Sequence, residues 1–464
     1  MKTRCSPIES FAACGVFVDS SVAPRPVQRR WPWALLLACA FGRTHLATVE
    51  AHAAEPGRLD DRVQGWRSDT DFLLDAIKRE HYVFRGKPLP VACQRIADEL
   101  KSSVGTMSDE RAAAELLRLM ATLGDGHCYI APSDASRAKM PFKQLPLRLY
   151  RFSDGLFVID ADVRHEHWIG RQITRLGPVS TEDALRRVVD YVPSDNPHTG
   201  KVFGPIFCGY RGVLEALGLR AGADDIAIEF IGANKEPAEE RVSFVAQRKL
   251  SQAERKLVPS RLAAAPPPPL YLRHAKDVSW IESIPEQDAI HVQLNQVWDA
   301  PQESLADLSE RLDGLLRRKR PQLLVVDLRH NNGGDASLLD PLMVTFESFE
   351  RRDPAAKLVV LIGPHTFSAA QILISQLDSD TNAVFAGEPS GSKPNFVGED
   401  NVVELPWSHL GASISNRYHE SIPGDTRMWI EPALKLELSS QDYFANRDPV
   451  LDAVWARWGR RDRR

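Results

Sequence analysis

The stretch that decides the fold lies at residues 323–334 and reads LLVVDLRHNNGG. A short, continuous apolar run that ends near an aspartate is typical of a strand buried on both faces of a parallel sheet. The loop after it carries Gly333 and Gly334, and paired glycines let the backbone approach a ligand and direct N–H groups inward. The stretch therefore predicts a buried parallel strand and a candidate anion-binding loop. A simple tight turn is the alternative for the glycines.

The residues around this stretch alternate between strand-like and helix-like patterns. Such alternation predicts α/β architecture, and we assign residues 280–464 to one α/β core. In α/β sheets the ligand crevice lies beyond the carboxyl ends of the strands, so the loops after the strands are the candidate sites. The predicted strands cover 290–294, 323–328, 357–362 and 383–386, and the predicted helices cover 303–318 and 368–377.

A second loop, residues 363–371, reads GPHTFSAAQ and places Ser368 at a sharp turn from strand to helix. A nucleophilic hydroxyl is well served there, because the turn exposes its oxygen and the helix N-terminus favours developing negative charge. Serine is also among the best helix N-caps, so a purely structural role is the alternative.

A third loop, residues 387–395, reads GEPSGSKPN and carries Lys393. A lysine acts as a general base only where desolvation or nearby positive charge leaves it neutral. A solvated loop lysine is the alternative.

The sequence pattern divides the chain before the core into two regions. Residues 57–135 show helical periodicity and end in a glycine-broken loop that carries His127, whereas residues 140–250 contain short β-like runs with a helical stretch at 181–192. Small β-rich domains often bind peptides by adding a strand, although a plain structural insert fits the pattern as well. Residues 251–279 form a predicted linker, because four consecutive prolines at 266–269 can continue neither a helix nor a ladder.

The first 53 residues have the parts of a secretory signal peptide. Arg29 and Arg30 precede an apolar run at 31–41, and Ala51 and Ala53 frame a small-x-small site. We therefore expect cleavage near Ala53 and export to a periplasm or the extracellular space; a buried helix is the alternative. No run of about 18 apolar residues is present, so no integral membrane span is expected after signal removal.

The composition is that of a globular protein of about three domains, given 464 residues. Lys and Arg number 58 against 62 Asp and Glu, a net charge of −4, which argues against nucleic acid as a partner. Signal removal leaves Cys93, Cys128 and Cys208, which allow at most one internal disulfide. No oligomeric state follows from these residues.

Taken together, the three loops resemble the tail-specific, or C-terminal-processing, serine peptidase family. Residues 327–334 match its Asp-Leu-Arg-x-Asn-x-Gly-Gly segment, and residues 368–370 match its Ser-Ala-[Ser/Ala] segment. Lys393 follows Ser368 at the 25-residue spacing of the family's catalytic lysine, and residues 448–451 resemble its closing segment. Asp125-Gly126-His127 is similar to the Asp-x-His that members carry after their N-terminal helices. The resemblance covers most of residues 70–455 and is strongest after 280.

The resemblance implies a fold and a chemistry. The fold would be a crotonase-like (ClpP-like) α/β core with an N-terminal helical region and a small β-rich PDZ-like domain. The activity would be endopeptidase cleavage of polypeptide substrates, with Ser368 as nucleophile and Lys393 as general base. Backbone N–H groups near Gly333 or Gly334, and that of Ala369, would hold the oxyanion. No metal or cofactor would be needed.

The chain also departs from the family pattern. Ser392-Lys393-Pro394 stands where well-known members have Gly-Lys-Gly, and Val397 and Gln371 replace a glutamine and a glutamate. Because Pro394 fixes the backbone beside the lysine, His127 is an alternative base, as in the related tricorn core peptidases.

These departures leave two other hypotheses about the function open. The core could be a non-catalytic protein that binds peptide or apolar ligands, as retinoid-binding relatives do. A crotonase-type enzyme acting on thioesters is a third reading, but an exported protein would not meet cytosolic coenzyme A.

Overall fold

The structure is a computed structural model that describes residues 56–140, 142–219, 224–231, 236–247, 257 and 267–460. The predicted signal peptide, residues 1–53, and part of the predicted linker lie outside the described residues. No helix of the described part of the chain is long and apolar enough to cross a membrane.

The N-terminal region consists of packed helices. Its longest helix buries Trp66 and Leu73, the third begins after the N-cap Ser108, and their apolar faces meet in a core that also holds Leu116. The elements are α1 Pro56–Glu80, α2 Val91–Ser103, α3 Asp109–Ala121, β1 Tyr129–Pro132 and α4 Asp134–Lys139.

The middle region contains a sheet with strand order β3-β4-β5-β7-β8, in which β3 is an edge strand and β6 pairs with β5, and a separate two-stranded sheet of β2 and β9. Its strands are β2 Lys143–Gln144, β3 Leu147–Phe152, β4 Gly155–Ala161, β5 Gln172–Leu176, β6 Val179–Ser180, β7 Asp225–Ile231, β8 Pro237–Ser243 and β9 Val245–Ala246. Its helices are α5 Thr181–Val188, α6 Pro197–Phe207 and α7 Arg211–Ala216.

Helices α6 and α7 were not predicted from the sequence. Helix α6 contains Gly200, Gly204 and Pro205, residues that weaken a helical pattern in the sequence. The helix nevertheless begins with Asn196, whose side chain accepts the N–H of His198, followed by proline at the first helical position.

The core is built on a six-stranded sheet with order β10-β11-β12-β13-β14-β17. Strand β10 is antiparallel to β11, and the neighbours β11, β12, β13, β14 and β17 pair in parallel. The strands are β10 Ser279–Ile284, β11 Ala289–Leu294, β12 Leu323–Asp327, β13 Lys357–Ile362, β14 Val384–Gly387, β15 Asn395–Glu404, β16 Leu410–Glu420 and β17 Leu434–Lys435. The helices are α8 Leu270–Arg273, α9 Leu305–Lys319, α10 Asp340–Arg352, α11 Ala369–Asp380, α12 Ser440–Phe444 and α13 Pro449–Trp458.

Strand β12 is buried over its whole length, as its apolar run predicts. Leu324 and Val326 pack on the face covered by α9, α10 and α11, whereas Leu323 and Val325 pack on the opposite face, with α13. The alternation of side chains along a strand explains why both faces need apolar residues.

The helical region and the core share a second sheet. Strand β1 pairs antiparallel with β16 of the β15–β16 hairpin, and Tyr129 lies opposite Ser413. Leu410 and Ile414 of the hairpin join the core around Trp66. The loop just before β1 is thereby held against the core.

A buried ion-pair network ties the C-terminal helix to the first loop. The Arg329 guanidinium donates to both carboxylate oxygens of Asp448, at 2.9 and 2.7 Å, and to those of Asp327. Asp448 also caps α13 by accepting the Leu451 N–H at 3.0 Å. The positive charge of Arg329 helps to hold the pKa of Asp327 well below its usual range against the effect of burial.

We expect Arg329→Met to lower the free energy of unfolding by about 3–5 kcal/mol, because it leaves two carboxylates buried without their partner. Urea unfolding followed by tryptophan fluorescence measures the change. Arg311→Met removes a more exposed pair with Glu303 and is the control, with an expected loss below about 1 kcal/mol. Equal losses in the two variants would contradict the structural role of the buried network.

Candidate active site

Ser368 lies at the turn between β13 and α11, with φ of 56° and ψ of −125°. A positive φ is strained for a residue with a side chain, and such strain persists only where the surroundings impose it. The side chain is half-buried and does not cap the helix that follows. The turn therefore presents the hydroxyl at the carboxyl end of the sheet instead of using it as an N-cap.

His127 lies directly against this hydroxyl. Its Nε2 is 3.1 Å from Ser368 Oγ, although 241 positions separate the two residues in the chain. The buried imidazole stacks between the rings of Phe367 and Phe396, at centroid distances of 4.5 and 5.4 Å. The stack fixes the plane of the imidazole and leaves Nε2 facing the serine.

The surroundings favour the neutral form of His127. Burial lowers the pKa of His127 from 6.5 to about 4, and the charge of His419 adds to the lowering. The negative charge of Asp125 and a hydrogen bond to the backbone of Val397 act in the opposite direction. An imidazole with this pKa is unprotonated at neutral pH, which is the form that accepts a proton.

The backbone of His127 is held on both sides. Its N–H donates to Asp125 Oδ1 at 2.7 Å, and its carbonyl accepts from Ser413 Oγ at 2.8 Å. Asp125 in turn lies 3.3 Å from His81 Nε2, and its Oδ1 is 3.8 Å from His127 Nδ1. The imidazole is therefore positioned by its main chain as well as by the stacked rings.

Lys393 occupies the third loop, which packs on the second one. Gly391 donates its N–H to the carbonyl of Thr366 at 3.0 Å, and Ser392 Oγ donates to Asp195. Lys393 is partly buried, and its positive charge opposes the rise that burial causes in the pKa of Asp195. Among the hydrogen bonds of the described residues, Ser368 Oγ is joined to His127 and not to Lys393.

The paired glycines of the first loop lie against the nucleophile turn. Gly333 has a φ of 101°, and a Cβ there would lie 2.6 Å from Ser368 Cβ and 2.8 Å from Ala369 N. The N–H of Gly333 already donates to Asn331 Oδ1 at 2.8 Å. The backbone hydrogen bonds of the described residues engage the N–H groups of neither Gly334 nor Ala369. Both N–H groups belong to the loops that meet at Ser368.

The structure adds a carboxylate that sequence reasoning missed. Asp195 of the middle region is buried, and its Oδ1 accepts the Gly126 N–H at 3.0 Å. Burial and the nearby charge of Asp125 raise its pKa to about 6. The sequence offers one local signal, the Asn-Pro helix start that follows Asp195, but nothing in it predicts a contact across 69 positions.

One cluster of the described residues has the residue types of a metal site. The ligand atoms of His81, Asp125 and Cys128 lie within 4.8 Å of one another and are buried. However, His81 Nδ1 accepts the Val83 N–H at 3.1 Å, so in the neutral ring the proton is on Nε2 and donates to Asp125. Nε2 then has no lone pair for a metal. The cluster is better described as side chains that hold the Asp125 carboxylate in place by hydrogen bonds.

Comparisons with known proteins identify the fold. No protein-family model matches this sequence, and no curated protein matches it. The structure of mature CPAF complexed with lactacystin is 13% identical, with a TM-score of 0.56 over 85% of this chain and 98% of that chain. A serine-to-alanine mutant of CPAF is 12% identical, with a TM-score of 0.59 over 85% and 96%. The chain has the CPAF fold.

The photosystem II D1 C-terminal processing protease also matches, at 14% identity and a TM-score of 0.36 over 80% of this chain and 92% of that chain. At such identities a structural match shows the fold alone. The chemistry is argued from the site.

Proposed function

We propose that the protein is an exported serine endopeptidase that cleaves polypeptide substrates with Ser368 as nucleophile and His127 as general base. The observation that carries the proposal is the 3.1 Å contact between His127 Nε2 and Ser368 Oγ at a strained strand-to-helix turn. The family motifs and the CPAF fold support the same reading. The signal-like pattern in residues 1–53 supports export.

The reaction follows from the positions of these groups. Ser368 Oγ attacks the carbonyl carbon of the scissile bond while His127 Nε2 takes the hydroxyl proton. The N–H groups of Gly334 and Ala369 stabilise the oxyanion, and the helix N-terminus of α11 adds to the favourable field. The imidazolium then gives its proton to the leaving amine, and water releases the acyl group with His127 again as base.

His127 is the better base than Lys393 on geometric grounds. A base must come within hydrogen-bond reach of the proton that it abstracts, and His127 is the residue in contact with the Ser368 hydroxyl. Because Nε2 faces the Ser368 hydroxyl and must accept its proton, we place the imidazole proton on Nδ1.

Lys393 takes a different role in this proposal. Its positive charge lies near the buried carboxylate of Asp195. The loop that carries it is fixed by Pro394 and by the hydrogen bond from Gly391 to Thr366. We propose that Lys393 compensates this buried charge and takes no proton from Ser368.

We further propose that the β-rich domain, residues 140–250, is PDZ-like and binds the polypeptide. A cavity of about 260 Å³ lies between edge strand β3 and helix α6. Leu147 and Leu149 line it from β3, Ile206 lines it from α6, and it reaches His365, three positions before Ser368. An edge strand beside a groove suits a peptide bound as an added strand.

A fluorophosphonate probe should label the wild-type protein at Ser368, and Ser368→Ala should abolish both labelling and peptide hydrolysis. Gel fluorescence and mass spectrometry of the labelled peptide measure this result. Ser375→Ala removes a buried serine of the same helix and should leave labelling intact. Full labelling of Ser368→Ala would end the proposal, and absence of wild-type labelling and peptide cleavage would favour a non-catalytic binding protein.

The two candidate bases are separated by two variants. We expect His127→Ala to lower the labelling rate about 10²- to 10⁴-fold, because it removes the proton acceptor. Lys393→Met should lower the rate by less than about tenfold, because its charge acts at a distance. Circular dichroism checks that both variants fold. The opposite order of effects would make Lys393 the base.

The dependence of the labelling rate on pH gives an independent measurement. The folded-state pKa of His127, about 4, is below the ordinary 6.5, so the base stays neutral as pH falls through 6.5 and is protonated only near 4. The rate should therefore be nearly constant from about pH 8 to about pH 5 and fall to half near pH 4. A rate that rises steeply above neutral pH, as a lysine base requires, would contradict the assignment.

A further inference from the structure

A short segment of the β-rich domain lies between two loops of the active site. Asp195 Oδ1 accepts the N–H of Gly126 at 3.0 Å, and its Oδ2 accepts the hydroxyl of Ser392. Gly126 precedes His127, and Ser392 precedes Lys393. A single carboxylate therefore joins the loop of the proposed base to the third loop.

The residues after Asp195 attach the same segment to the core. Asn196 Nδ2 donates to the carbonyls of Ser390 and Met428, at 3.1 and 2.8 Å, and Thr199 Oγ1 donates to the carbonyl of Gly391 at 2.7 Å. These contacts hold the domain on the third loop, and they do not involve the loop of His127. Asp195 extends the attachment to that loop.

The loop of His127 is held from two sides. On one side Gly126 packs on Phe367, and a Cβ at Gly126 would lie 2.8 Å from that ring. On the other side Asp195 holds the Gly126 N–H. The ring and the hydrogen bond together restrict movement of Gly126, and with it the loop of His127.

We propose that Asp195 is a positioning residue for His127: a carboxylate supplied by the β-rich domain that fixes Gly126 and so keeps the imidazole on the Ser368 hydroxyl. This inference rests on the proposed serine peptidase function. The β-rich domain is then part of the catalytic geometry as well as a binding module. An asparagine at 195 can keep the arrangement, because its oxygen accepts the Gly126 N–H and its amide donates to the Ser392 hydroxyl.

The test compares Asp195→Ala, Asp195→Asn and Lys201→Met in the full-length protein. The last variant removes ion pairs of the same domain segment with Glu388 and Glu437, without contact to the loop of His127. The first readout is the rate of fluorophosphonate labelling of Ser368. The second readout, which needs no activity, is hydrogen–deuterium exchange of the peptide that contains Gly126.

We expect Asp195→Ala to lower the labelling rate about ten- to a hundredfold and to speed exchange at Gly126, because a displacement of about 1 Å at a reacting group has effects of this size. Asp195→Asn should restore both readouts to within about threefold of wild type. Lys201→Met should change neither by more than that. In a His127→Ala background, Asp195→Ala should cause little further loss, because the two residues act as one unit.

Several outcomes would overturn the inference. A labelling rate and an exchange rate in Asp195→Ala equal to those of the wild type would do so. An equally large drop in labelling rate on adding Asp195→Ala to the His127→Ala variant and to the wild type would also do so. Should Asp195→Ala fail to fold, Asp195→Ser keeps a polar group at the position but is too short to reach Gly126, and it carries the same test. Absence of labelling in the wild type would refute the peptidase function, and exchange at Gly126 would still decide whether Asp195 holds the loop.

Discussion

The stack of Phe367, His127 and Phe396 is the contact on which the geometry of the site depends. It brings a histidine from the helical region onto a serine 241 positions later and fixes the imidazole plane between two rings, at 4.5 and 5.4 Å. Aromatic pairs at such distances contribute about 0.5–1.5 kcal/mol beyond the area that they bury. The same burial lowers the pKa of His127 to about 4, so packing and protonation state have one cause.

This contact requires that separate regions of the chain meet at one point. The helical region is held to the core by the pairing of β1 with β16, which begins two residues after His127. The middle region reaches the same place through the hydrogen bond from Gly126 to Asp195. Neither accessory region is remote from the candidate site, because each supplies a residue that holds the imidazole or the loop in front of it.

The sequence predicts most of the core and only part of the site. Strands such as 323–327 and 357–362 can be predicted because burial on both faces demands uninterrupted apolar residues. The turn at Ser368 can be predicted because it lies between an apolar strand pattern and a helical pattern. The choice between Lys393 and His127 has no such local cause. A spacing of 25 residues places a lysine on the right loop but does not direct its side chain.

The parts that sequence reasoning missed are long-range contacts of weakly patterned segments. Helix α6 carries two glycines and a proline in its interior, so its periodicity is poor, and its docking on the third loop is visible only in three dimensions. The hydrogen bond from the Gly333 N–H to the Asn331 side chain is likewise visible only in the structure. Sequence alone leaves both glycines as candidates.

The two carboxyl groups near His127, those of Asp125 and Asp195, have pKa values shifted in opposite directions. Burial alone would raise the pKa of Asp125, but the hydrogen bond from His81 and the charge that His127 can carry lower it below its ordinary value. Asp195, buried next to Asp125, has its pKa raised to about 6. Environments that shift the pKa values of two carboxyl groups in opposite directions suit the groups to different roles. In the proposed mechanism, Asp125 is the ionised group that stabilises the imidazolium formed when Ser368 gives up its proton. Asp195 can lose its charge and still hold Gly126, so its contribution is the position of the base.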